Sequence, residues 1–221
     1  MNVNPMIILA STSPRRKVLL SLGSWPFEIA AADVDETPFA GEPPDEYVVR
    51  LAENKSRVVG KNAKNGAVII AADTTVADGS KILGKPQDAQ EAQDMLYSLR
   101  SRSHQVFTGV AVFRPEDGIL LTELAVTEVP MRDYSDAEVA AYIGTGDPFD
   151  KAGAYAIQHP EFRPVELLTG CYANVVGLPL CHLSRMLGKL GIQLSSDIPA
   201  ACQKELVYDC QVFDAVLKGV I

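Results

Sequence analysis

The chain has 221 residues, 47% of them hydrophobic and 22% charged, with a formal net charge of −8. That length allows one large domain or two closely fused lobes with a real core. An acidic balance argues against coating nucleic acid or an anionic membrane, but permits a small polyanion where basic residues converge or a divalent cation intervenes. No apolar run approaches the roughly 18 residues that span a bilayer, and residues 1–10 lack the basic start and long apolar core of a signal peptide. Cys171, Cys181, Cys202 and Cys210 show no zinc-type pairing, so reduced thiols in a cytoplasmic protein are expected.

Ile7, Ile8 and Leu9 read as a buried strand, and Ala10, Ser11 and Thr12 as a tight turn. Ser13 is a good N-cap and Pro14 suits the first helical position. Val18, Leu19 and Leu22 supply an apolar helix face, with Gly23 as terminator. Arg15, Arg16 and Lys17 in the first turn oppose the helix dipole by about 0.3–1 kcal/mol each. With an anion in front of the helix the sign reverses, and the Ser11 hydroxyl would point the same way. An ordinary capped helix with solvated basic residues is the alternative.

Phe27, Ile29 and Ala31 alternate as a second strand, ending at Asp33, Asp35 and Glu36. These three carboxylates form either a cation site or a solvated acidic loop. Residues 44–60 read as a helix whose apolar stripe, Val48, Leu51, Ala52 and Val59, passes through Lys55. That amine either meets a partner in a cleft or snorkels at the stripe's edge. Residues 67–72 form a continuous apolar run suited to a strand buried on both faces. It ends at Asp73 and Thr74, where a carboxylate is costly without a partner and where open α/β sheets carry their chemistry. GSKILGK imitates a phosphate loop, but Pro86 stands where the metal-holding Ser or Thr belongs. Asp78-Gly79 reads better as a hairpin turn, leaving Lys85 as a phosphate-binding point charge.

Asp88 and Glu91 suggest a capping box ahead of a helix with Ala92, Met95, Leu96 and Leu99 on its core face. Residues 104–113 and 119–130 predict a long hairpin, and Ser135 with Glu138 a second capped helix ending near Gly144. Asp147 to Gln158 reads as loop and strand. Asn174 to Leu180 reads as a strand and turn feeding a last core helix to Gly191. The tail from Ser195 is weakly patterned, and its role is unassigned. The histidines, His104, His159 and His182, lack metal-ligand spacing and read as structural or surface groups.

Together the stretches LASTSPRRKVLL, DVDET, AADTTV, LGKPQDAQEAQDML, HQVFTGVAV, DPFDKAGAYAIQ and NVVGLPL resemble, in order and over residues 6–191, the Maf family of nucleoside triphosphate pyrophosphatases. The resemblance implies a single domain over 1–221 with residues 192–221 as a tail. It implies a mixed α/β fold, Maf/inosine triphosphatase-like, with helices on both sides of a mixed sheet and two lobes around a deep cleft. A cytoplasmic homodimer is expected, with a nucleoside triphosphate as partner rather than nucleic acid or membrane. The reaction implied is hydrolysis to nucleoside monophosphate and pyrophosphate, dependent on Mg2+ or Mn2+.

Residue by residue, the resemblance makes Asp73 the proton acceptor and ties Arg15, Thr74 and Gln158 to substrate choice. Ser11, Glu36, Lys55 and Lys85 match other polar cleft positions. Glu36 and Asp73 are the hard oxygen donors suited to the metal. The ADTTV and DKAGAYxIQ forms resemble the subgroup acting on dTTP and UTP rather than on 7-methyl-GTP. The chain departs from the family pattern at Ala156 and in HPEFRPVELLTGCY. The rival expectation from another class is a nucleotide-binding regulator of cell division with little turnover.

Overall fold

The computed structural model of the chain describes residues 5–192 and 196–221; Ser195, where the weakly patterned stretch begins, lies outside them. The strands are β1 (Met6–Leu9), β2 (Phe27–Ile29), β3 (Ala67–Asp78), β4 (Lys81–Leu83), β5 (Ser103–Arg114) and β6 (Ile119–Pro130). The helices are α1 (Pro14–Ser21), α2 (Pro44–Gly60), α3 (Ala89–Leu99), α4 (Asp136–Gly144), α5 (Tyr172–Val176), α6 (Leu180–Lys189), α7 (Ile198–Leu206) and α8 (Phe213–Leu217).

The sheet is mixed, in the order β2-β1-β3-β5-β6, with β4 pairing on β3. β1 runs parallel to β2 and β3, while β5 is antiparallel to β3 and β6. β3 is the long central strand, and its two edges differ. On one edge β5 pairs it without interruption from Ile69 to Ala77. On the other, β1 stops at Leu9 opposite Ile70 and β4 begins only at Val76 opposite Leu83. Among the described residues no strand fills the gap between Ile70 and Val76, and Asp73, Thr74 and Thr75 lie in it.

Alternation along β1 and β3 feeds two apolar layers. Ile7, Leu9, Val68 and Ile70 pack with α1, α5, α6 and the tail helices, through Leu19, Leu20, Val176, Leu183, Ile198 and Val216 among others. Ile8, Ala67, Ile69 and Ala71 pack on the other face against Ala52 and Val59 of α2. Helices therefore cover both faces. A third cluster, around Val76, Leu83, Leu96, Val106, Tyr134 and Tyr155, belongs to α3, α4 and the far ends of the long strands.

Several expectations hold. Ser13 caps α1, Ser135 and Glu138 form a complete capping box, and Asp78 to Lys81 is the hairpin turn. Asp88 caps α3, but Glu91 reaches past it to the backbone N–H of Gln87, so that box is not reciprocal. Other expectations are corrected. β3 does not end at Asp73, because its pairing with β5 continues past the end of β1. In α1 the buried pair is Leu19 and Leu20, and Val18 is 47% exposed. Gly23 accommodates the Trp25 ring, which would lie 2.1 Å from a Cβ there. Residues 147–154 form two short 3-10 turns rather than a strand. Asn174 to Val176 belongs to α5, ended by Gly177 at φ 116°, a left-handed conformation that favours glycine. The tail folds as α7 and α8 and reaches the core through Ile198, Leu206 and Val216.

One close approach decides where α2 lies. Gly109 of β5 pairs with Asp73, and a Cβ on it would stand 2.5 Å from the Val48 carbonyl oxygen of α2. A methyl there must push the helix backbone off the sheet. Gly109→Ala is expected to destabilise the fold by about 1–3 kcal/mol, the usual range for overpacking. Denaturant unfolding checks this, and unchanged stability would mean that α2 is not pinned at this point.

Candidate active site

The gap in the β3 edge opens into a cleft of about 650 Å³ whose walls include Ser11, Arg15, Arg16, Glu36, Lys55, Asp73, Thr74, Lys85, Lys151 and Gln158. Eight residues singled out from the sequence, Ser11, Arg15, Glu36, Lys55, Asp73, Thr74, Lys85 and Gln158, therefore reach one cavity. Their elements differ. Ser11 and Arg15 come from the β1–α1 turn and α1, Glu36 from the β2–α2 connection, and Lys55 from α2. Asp73 and Thr74 come from β3, Lys85 from the loop after β4, and Gln158 from the segment after the 3-10 turns.

At the centre, the Lys55 ammonium donates to Asp73 Oδ1 at 2.6 Å and lies 2.5 Å from Glu36 Oε1. Lys55 and Asp73 are each 8% exposed, so the lysine is partnered in the cleft and does not snorkel. Burial pushes the Asp73 carboxyl above the ordinary carboxylate range, against the downward pull of Lys55 and Arg16. Burial also pushes Glu36 up, but the hydrogen bond and charge of Lys55 prevail, and it stays below that range.

Asp73 and Thr74 point to opposite faces of β3. The Arg16 guanidinium, on the Thr74 side, donates to Thr74 Oγ1 at 3.0 Å, to the Gly177 carbonyl at 2.8 Å and to Ser11 Oγ at 3.4 Å. Thr74 and Thr108 hydroxyls lie 2.9 Å apart, and Thr108 donates onward to the Asn174 carbonyl at 3.1 Å. Thr74 is thus tied to protein partners as well as facing the cleft. Arg16 was legible only as one member of a basic triplet, yet it is the arginine held in place. Arg15 makes a looser pair, 3.7 Å from Asp150, with side chains 37% and 68% exposed.

Lys85 and Gln158 also line the cleft and are exposed. Their loops are joined: Gly153 donates its N–H to the Gly84 carbonyl at 3.1 Å. Lys151 is buried between Asp147 and Asp150, at 2.9 and 2.5 Å. Its flanking aspartates were its only signal in the sequence. His104 is buried, bonded to the Tyr155 hydroxyl at 2.8 Å, and pulled down to about 4 by burial. It is structural, as expected.

The acidic run does not converge as a cluster. Asp35 accepts from the Thr37 N–H at 2.9 Å, and Glu36 alone of the three lines the cleft. Among the described residues no group of three or more His, Cys, Asp or Glu side chains forms a metal cage. The donor set that does converge is Glu36 with Asp73. Their oxygens meet at one cationic point, the Lys55 ammonium. Two carboxylates lining an open cleft fit a Mg2+-type ion, which takes few protein ligands and completes its shell with water and substrate oxygens.

Against known proteins, residues 6–190 match the family model described as Maf-like protein. A dTTP/UTP pyrophosphatase of Geotalea uraniireducens is 45% identical over 191 residues, 86% of this chain and 98% of the relative. One of Myxococcus xanthus is 46% identical over 189 residues, 86% of this chain and 94% of the relative. Among solved structures, the Staphylococcus aureus Ham1 protein is 16% identical with a TM-score of 0.43, covering 69% of this chain and 87% of that one. The family match begins at the first residue of β1 and runs just past α6, and on it the chain belongs to the Maf family.

Proposed function

We propose that this chain hydrolyses nucleoside triphosphates, dTTP, UTP and modified pyrimidine forms first, to the monophosphate and pyrophosphate. The observation that carries this reading is the Glu36–Lys55–Asp73 group in a cleft lined by further cations, within a chain of net charge −8. The dTTP/UTP pyrophosphatases among its relatives support the substrate class, and the family resemblance extends the reading to a cytoplasmic homodimer.

Glu36 and Asp73 would hold the divalent cation, Mg2+ or Mn2+. Bound there, it would neutralise phosphate charge and polarise the phosphoryl oxygens. Asp73, its affinity for protons raised by burial, takes a proton from the water that attacks the α-phosphorus. The bond to the α,β-bridging oxygen breaks and pyrophosphate leaves. Arg15, Lys85 and Lys55 face the phosphate oxygens and offset their charge, with the Ser11 hydroxyl at the helix start as a further donor. Gln158 offers an N–H to O4 and a carbonyl to N3–H of thymine or uracil.

The direct test is product analysis with purified chain, divalent metal and a panel of nucleoside triphosphates. Pyrophosphate should be released, and only with metal; orthophosphate as the first product, or full activity in excess chelator, would overturn the reading.

Asp73→Asn is close to isosteric and should lower kcat by about 10²–10⁴-fold, the usual worth of a general base. In the unsubstituted chain, Asp73 must be ionised to accept a proton. Because its pKa is raised, kcat/KM should fall as the pH drops through a value above the ordinary aspartate figure of about 3.9. A near-normal kcat in Asp73→Asn would remove Asp73 from this role.

Gln158→Glu replaces a donor and acceptor with acceptors alone. It should repel O4 of the pyrimidine while better suiting the donor-rich edge of guanine. kcat/KM for dTTP should therefore fall more than that for 7-methyl-GTP. An equal fractional loss on both would leave Gln158 as loop support only.

A further inference from the structure

The connection between β2 and α2 carries Glu36 without a helix or strand to support it. From Asp35 to Gly41 every residue is exposed, so apolar packing does not fix its course. Yet Glu36 reaches Lys55 at 2.5 Å. Ordering such a segment costs conformational entropy, and a specific set of polar bonds must offset it.

Those bonds come from the first half of α2. Arg50 donates from Nε to Glu42 Oε1 at 2.5 Å and from Nη2 to Glu42 Oε2 at 2.6 Å. The Glu42 side chain is only 5% exposed and Arg50 20%, so this two-pronged pair is far drier than a surface ion pair. Glu42 also accepts the Phe39 N–H at 2.9 Å. The same Arg50 Nη2 donates to the Thr37 carbonyl at 3.2 Å, and its guanidinium lies 4.0 Å from the Phe39 ring centroid. One turn earlier, the Tyr47 hydroxyl donates to the Glu36 carbonyl at 2.9 Å. The backbone carbonyls of Glu36 and Thr37 are thus both fixed to α2, the helix that presents Lys55.

We propose that Arg50 is a positioning residue for Glu36. By clamping residues 36–42 onto α2, it sets the reach of the Glu36 carboxylate toward Lys55 and Asp73. Its importance for metal binding rests on the function proposed above; the clamp does not. Only a planar fork serves all three contacts, because it can grip Glu42 with two nitrogens, bond Thr37 and cover Phe39 with its face. A lysine ammonium offers one point charge.

The test compares Arg50→Ala, Arg50→Lys and Glu42→Gln with the unsubstituted chain. It reads amide hydrogen exchange over residues 35–42 and direct Mn2+ binding beside a non-hydrolysable UTP analogue, followed by the paramagnetic signal of free Mn2+. In Arg50→Ala, exchange in this segment should rise about tenfold and Mn2+ affinity fall by about ten- to a hundredfold, the range seen when supports of metal ligands are removed. kcat at saturating metal should change little, and Arg50→Lys should restore neither readout fully. Unchanged exchange, faster exchange with unchanged Mn2+ affinity, or full rescue by Arg50→Lys would each overturn the proposal. If Arg50→Ala does not fold, Glu42→Gln, which keeps the arginine and its ring contact, decides by the same readouts. A chain that releases no pyrophosphate would sink the function proposed above, and exchange over 35–42 would still decide the clamp.

Discussion

Lys55 and Asp73 lie 2.6 Å apart with almost no access to solvent. Two buried opposite charges offset each other's desolvation only while both are present; removing Lys55 strands the Asp73 carboxylate at a cost of about 3–5 kcal/mol, whereas Lys55 without Asp73 would keep Glu36. This pair explains features that otherwise look unrelated. α2 must approach β5 closely enough for Lys55 to reach across, and Gly109 opposite Asp73 permits it. β3 must run on past β1, so that Asp73 stands in a gap in the sheet edge rather than under a neighbouring strand. The helix stripe of Val48, Leu51, Ala52 and Val59, all buried, holds the lysine in phase with that gap.

The cleft's charge follows from the same logic. Three of its basic side chains are tethered by the protein's own carboxylates: Lys55 by Glu36 and Asp73, Lys151 by Asp147 and Asp150, Arg15 more loosely by Asp150. A cluster of bare cations would be expensive to assemble, and these pairings let it form before any ligand is bound. The pairs differ in strength, which divides the work. Lys151 is buried and held by two carboxylates, so it braces its loop. Arg15 is half-buried and lies 3.7 Å from Asp150, so it is held more loosely.

Much of this was legible because local chemistry and tertiary context agree. The Ser13-Pro14 start of α1, the apolar run of β3 and the capped helices carry their own signals. Asp73 and Lys55 stood out as polar groups at positions where burial is expensive. Their pairing was not legible, because it joins residues 18 apart through the packing of a helix on a sheet. α5 was misread for a related reason. Two valines favour a strand, but the buried Asn174 side chain donates to the Val106 carbonyl of β5 and to Thr127 of β6, at 3.0 and 2.9 Å. Those contacts select one helical turn over the local preference. The role of Arg50 was hidden because its partners lie in an exposed loop with no periodicity.

The same α5 joins the tail to the cleft. Its C-terminal glycine, Gly177, accepts the bond from Arg16 Nε, and Arg16 in turn holds Ser11 and Thr74. On the side of α5 away from the cleft, the Tyr208 hydroxyl meets the Leu168 and Gly170 carbonyls, both at 2.9 Å. There Cys171, Cys181, Cys202 and Cys210 share a small apolar pocket with Tyr172, Leu206 and Phe213. Burial pushes the Cys171 and Cys181 thiols up to about 12, so they remain neutral packing groups. Residues beyond the family match at 190 therefore do more than extend the chain. They cover the outer face of a five-residue helix that is too short to be stable alone, and whose capping glycine, Gly177, anchors the arginine bonded to Thr74.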